Sequence, residues 1–117
     1  MKSYTDLDQS RKLAGILSIE SADMWYHGHG SPWESEREYD SDACPFHSMR
    51  PNWDIPCWSL ATLLSVLDFP SLIQNKEDEW EVCVPNHKSD GYIEVSADNP
   101  VDACVEIILE IHKQKKE

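Results

Sequence analysis

Four of the seven prolines, Pro32, Pro45, Pro51 and Pro56, fall between Gly28 and Pro56, with two of the four glycines. Proline fixes φ and removes a backbone donor, so this stretch resists both helix and central strand. Most regular structure must then come from the residues on either side. The 28–56 stretch reads as a long irregular insertion with one strand near Arg37 to Cys44. Its Trp33, Tyr39, Phe46 and Trp53 imply that it packs on the rest of the chain.

The flanking segments carry clear periodicity. Leu7, Leu13, Ile16 and Leu17 suit a helix over Asp6–Leu17, with Asp6 or Asp8 available to accept its orphan backbone N–H groups. A short strand follows in the second half of 21–27. Leu60, Leu63, Leu64 and Leu67 follow the i, i+3, i+4, i+7 rule and predict a buried helix over Trp58–Leu67, stopped by Pro70. Residues 79–84 alternate, with Trp80, Val82 and Val84 on one face. After a polar turn, Tyr92–Val95 completes a β-hairpin with one wet face. Asn99 as N-cap, Pro100 at the first helical position and Asp102 in the first turn open a last helix. Its apolar face is Val101, Cys104, Val105, Ile108 and Ile111, and Lys113, Lys115 and Lys116 suit its C-terminal dipole. The summed expectation is one α+β domain over 1–117, a small, mainly antiparallel sheet packed against about three helices in two layers.

The chain carries 22 Asp plus Glu against 10 Lys plus Arg, a net charge of −12 in 117 residues. That sign opposes direct nucleic-acid binding and suits an electropositive partner. No run of about 18 apolar residues suggests a membrane span. No apolar run follows the N-terminal lysine, so no secretory signal is read and the cytoplasm is the expected location. The four cysteines, at wide spacings, read as free thiols.

The charges are ordered. Asp98, Asp102, Glu106 and Glu110 stand four apart, about 6 Å per step along a helix, off the apolar face. Glu34, Glu36, Glu38, Asp40 and Asp42 alternate with Ser35, Arg37, Tyr39 and Ser41, so an extended backbone would project all five carboxylates to one side. Glu77, Asp78, Glu79 and Glu81 enter the hairpin. The bland reading is solvated surface. The functional reading is a docking ridge that imitates a row of phosphates. A second chemistry is a zinc staple on His27, His29, Cys44 and His47, although their spacing matches no zinc-finger signature. No phosphate-cradling, nucleophile-elbow or metalloprotease motif is present, and no enzymatic activity is expected.

Three blocks carry a resemblance: Ser21-Ala22-Asp23-Met24-Trp25, Ile55 to Leu64 (IPCWSLATLL) and Asn99 to Ile108 (NPVDACVEII). In these the chain resembles a group of short uncharacterised proteins of phages and conjugative elements of Bacteroides-type gut bacteria. Such proteins commonly have alanine where Cys57 stands, which argues against Cys57 as an obligate metal ligand. The resemblance implies a small accessory protein of a mobile element in a bacterial cytoplasm, and no activity. With the charge, it sets the expectation of a protein that binds, and inhibits, a basic host protein such as a defence nuclease. A zinc-stapled structural or regulatory module is the alternative.

Overall fold

The structure, a computed structural model, describes residues 2–29, 38–45, 53–86 and 90–115. It is α+β, with three α-helices and three small antiparallel sheets. The described residues group into two units, Tyr4–Ser59 and Leu60–Glu117 with Met1–Ser3. No helix among the described residues is long and apolar enough to cross a membrane.

In the first unit, α1 (Leu7–Ala14) opens with a capping box. The Asp6 carboxylate accepts the Gln9 N–H at 2.8 Å, and the Gln9 side chain accepts the Asp6 N–H at 3.1 Å. The helix stops at Gly15, earlier than the apolar pattern suggests, and the N–H groups of Ile16 and Leu17 turn back onto the Leu13 carbonyl. A single 3₁₀ turn (Ile19–Ser21) leads to β1 (Met24–Tyr26) and β2 (Gly28–His29).

The proline-rich stretch then supplies β3 (Glu38–Tyr39), β4 (Cys44–Pro45) and β5 (Ile55–Cys57). β1 lies between β4 and β5, and β2 pairs with β3. Pro45 and Pro56 are admitted because both occupy edge strands, where a missing donor leaves no ladder bond unmade. The described part of the stretch thus holds short pairings in place of one longer strand.

Buried polar groups tie this unit together. Thr5 is fully buried, and its carbonyl accepts the Tyr26 hydroxyl at 2.7 Å and the Cys57 thiol at 3.3 Å. Its Oγ1 lies 2.8 Å from the Ser10 hydroxyl and accepts the Trp58 N–H at 3.2 Å. Trp58 is fully buried, and its indole N–H reaches Ser21 Oγ at 3.0 Å. Trp58 therefore belongs to this knot and not to the following helix. Asp23 accepts both the N–H and the hydroxyl of Ser59.

In the second unit, α2 (Leu60–Ser65) precedes β6 (Ser71–Gln74), β7 (Trp80–Pro85), β8 (Tyr92–Ala97) and α3 (Pro100–Lys115). The sheet order is β6-β7-β8, with Leu72 opposite Val82 and Val82 opposite Val95. Val82 and Val84 are buried on the face that α3 covers, and α2 packs on α3 as well. Two neighbours make α3 buried over more than half its circumference: Val101, Ala103, Cys104, Val105, Ile107 and Ile108 all lie inside. Burial pushes the Cys104 thiol up to about 11.

Candidate partner interface

Asn99 caps α3 by accepting the Asp102 N–H at 2.9 Å, and its amide donates to Asp102 Oδ2 at 2.8 Å. Lys2 Nζ sits 2.8 Å from Asp102 Oδ1. Asp102 therefore serves the start of its own helix, and its charge is answered by Lys2 and the helix N-terminus. Its neighbours in the row differ. Asp98 and Glu106 are exposed, while Glu110 is half-buried beside the Gln114 amide at 3.5 Å. The outward charge of the row comes from Asp98 and Glu106, with a neutralised residue between them.

The 34–42 block is only partly described; Glu34 and Glu36 lie outside the described residues. Glu38 is exposed on β3, which is extended only across Glu38–Tyr39. Asp40 meets His29 Nε2 at 2.6 Å, and Asp42 accepts the Tyr4 hydroxyl at 3.3 Å. Each of these carboxylates thus has a different local environment. The structure places the α3 row in one unit and this block in the other.

The 77–81 acids surround the turn between β6 and β7, which Asn75 organises. Its Oδ1 accepts the N–H groups of Glu77 and Glu79 at 2.9 and 3.1 Å, and its amide donates to Glu81 at 3.1 Å. Asp78 takes a left-handed φ of 61°, a conformation Asp tolerates better than most side chains. The register sets Glu81, Cys83 and Glu94 on the sheet face opposite α3, with Cys83 directly across from Glu94. Partial burial and the carboxylates of Glu94 and Glu81 raise the Cys83 thiol pKa, so this thiol is a poor nucleophile at neutral pH.

Sequence reasoning missed β6, and with it the exposed Ile73 beside this acidic face. Pro70 before the strand and the Asn75-Lys76-Glu77-Asp78 turn after it were the available signals.

Three of the four candidate metal ligands, His27, His29 and Cys44, lie among the described residues. His27 Nδ1 lies 3.6 Å from Asp54, which is buried and accepts the Gly28 N–H at 3.0 Å. The His27 and His29 rings meet edge to face at 5.1 Å. Cys44 pairs across β1 with Trp25, and His47 lies outside the described residues. Among the described residues, no three His, Cys, Asp or Glu side chains converge to hold a metal ion. Cys57 is buried against Thr5, and burial raises its pKa despite hydrogen bonds that favour the thiolate.

A cavity of about 280 Å³ lies within the second unit, walled by Val66, Leu67, Val84, Ile93 and Ile111. Its lining also includes Asp68, Asn86, Gln114 and Lys115.

No family model, curated protein or solved structure matches this chain. The chemistry of its own surface is what remains to argue from. Asp98, Glu106, Glu94, Glu77 and Asp78 have no lysine or arginine partner among the described residues. The field of such unpaired surface charges reaches about one Debye length, ~8–10 Å at physiological salt.

Proposed function

We propose that this chain is a non-enzymatic interaction protein that docks on a basic surface of a protein partner. The supporting observation is the set of outward carboxylates with no lysine or arginine partner among the described residues, chiefly Asp98 just before α3, Glu106 on it and Glu94 on the opposite face of the sheet. Where the partner's basic surface is a nucleic-acid groove, occupancy excludes the nucleic acid and inhibits the partner. Such a role suits the accessory protein of a mobile element, acting on a host defence nuclease in the bacterial cytoplasm.

Asp102 is a poor residue for testing this, because it also caps α3 and pairs with Lys2. The informative variant reverses Asp98, Glu106 and Glu94 to lysine. Immobilised chain is exposed to bacterial lysate at about 50 mM and about 500 mM salt, which shortens the Debye length roughly threefold. The expected result is basic nucleic-acid-binding proteins retained at low salt and lost from the reversed variant. Nucleic acid should then compete with the chain for the purified partner. Retention of the same proteins by both forms, or of proteins with no basic surface, overturns the reading.

A further inference from the structure

We propose that the β6 edge is a strand-addition site for an extended segment of the partner that carries both apolar and basic side chains. This rests on the electropositive-partner reading and assigns it a place and a mode of pairing.

β6 is an edge strand of its sheet, paired with β7 alone among the described residues. Alternate residues of an edge strand direct their N–H and C=O groups away from the sheet, where another strand can bond to them. Edges are normally blunted by charge, by proline or by a bulge. Ser71-Leu72-Ile73-Gln74 carries none of these, and its register with Trp80–Cys83 runs unbroken. The other edge, β8, carries Glu94 and is bracketed by Asp90 and Asp98.

Two large apolar side chains stand in solvent along β6. Ile73 is 55% exposed, and Phe69, just before the strand, is 88% exposed. Phe69 also holds a left-handed φ of 48°, which is strained for a bulky residue. Strain that presents an aromatic ring to water contributes nothing to the core. It suits an anchor for a ligand.

The charges select the ligand. Glu77 and Asp78, both exposed, follow the strand within the turn, next to Lys76. Glu81 lies directly across from Ile73 on β7. A segment added beside β6 would meet the carboxylates of Glu81, Glu77 and Asp78 toward one end and the exposed Ile73 and Phe69 along its length. A second copy of this chain would bring its own acids to the same place, so charge favours a basic strand over self-pairing.

The test uses the whole chain. The probe is a peptide of about eight alternating arginines and valines, long enough for one strand. Its counterpart is methylated on alternate backbone nitrogens, which preserves charge and removes donors. Affinity is read by fluorescence anisotropy and the contact by amide hydrogen exchange. The unmethylated peptide should slow exchange across Ser71–Gln74 and bind at least about tenfold tighter than its counterpart. Ile73→Lys and Phe69→Gly should each weaken it by about tenfold. Glycine suits the positive φ, so Phe69→Gly keeps the fold, which circular dichroism checks.

Equal binding of the two peptides overturns strand addition, as does protection confined to β8 or α3; either result leaves the charge reading standing. Equal binding of the peptide and a version with glutamate for arginine overturns the basic-partner reading while β6 protection stands. Protection of β6 without peptide, rising with protein concentration, identifies a second copy as the occupant and overturns the proposal.

Discussion

The two units carry the same net charge by different means of construction. Tyr4–Ser59 holds ten acids against four basic residues, and the other unit twelve against six. Six net negative charges in each means that charge does not distinguish them; their interiors do. The Leu60–Glu117 unit is built on two six-residue strands, a four-residue strand and a 16-residue helix, with an interior of valine, isoleucine, leucine, alanine and cysteine. The Tyr4–Ser59 unit has strands of two or three residues, too short to stand as a sheet on their own ladder bonds. It compensates with buried Trp58, Trp25 and Tyr26 and with the knot of hydrogen bonds on Thr5. One interior depends on area removed from water, the other on polar groups that must all remain satisfied.

The largest test of that contrast removes one buried side chain from each unit. Trp58→Ala should cost about 3–5 kcal/mol, because it opens a large cavity and removes the indole N–H bond to Ser21. Ile107→Ala should cost about 2–5 kcal/mol in the apolar interior. Urea unfolding measures both, and the amides of the altered unit should exchange faster. A Trp58→Ala loss under about 1 kcal/mol, a surface-like value, would break the picture of the first unit.

Alkaline pH provides a test of intermediate size. Burial raises Cys104 to about 11. In the other unit burial, with lesser help from nearby ionisable groups including Cys57 and Asp6, raises the Tyr26 hydroxyl well above its ordinary range. In both cases the unfolded chain ionises first and therefore binds fewer protons than the folded one. Stability from these groups is fully present below about pH 8.5, the ordinary thiol value, and is lost as pH rises. Cys104 alone should account for a loss on the order of 2–3 kcal/mol by pH 11. Cys104→Ala should flatten that part of the profile. An unchanged alkaline slope in the variant would remove Cys104 as its source.

Thr5→Val is the smallest and most selective test. It keeps the shape and deletes the acceptor of the buried Trp58 N–H, along with the Ser10 hydroxyl contact. The expected loss is about 1–3 kcal/mol, the penalty of a buried donor left unpaired. A neutral result would show that packing, not the polar knot, holds the first unit.

Legibility in the sequence followed the same division. A carboxylate cap at Asp6 or Asp8, the hairpin of 79–95 and the Asn99-Pro100-Val101-Asp102 start of α3 could be read directly, because each is set by neighbours within four residues or by strict alternation; the structure chose Asp6. The α2 pattern extended too far, to Trp58, because a tryptophan beside a leucine repeat does not reveal that its backbone bonds to Thr5, 53 residues away. β6 escaped because four residues with two polar ends around an apolar pair show no period. In the candidate site, the spacing of Asp98, Asp102, Glu106 and Glu110 was legible, and their separate environments were not.

By itself, then, the sequence determined the class of fold, the start of the long helix and the sign of the net charge. Local sterics, capping and the count of ionisable groups settle those before any distant residues meet. Only the tertiary structure decided that Asp102 is answered by Lys2, that Pro45 and Pro56 lie on strand edges, and that Ile73 stands exposed beside Glu81. Each of those depends on a pairing between residues far apart in the chain. Such pairings form only when the chain closes on itself and buries enough surface to offset the entropy lost in ordering it.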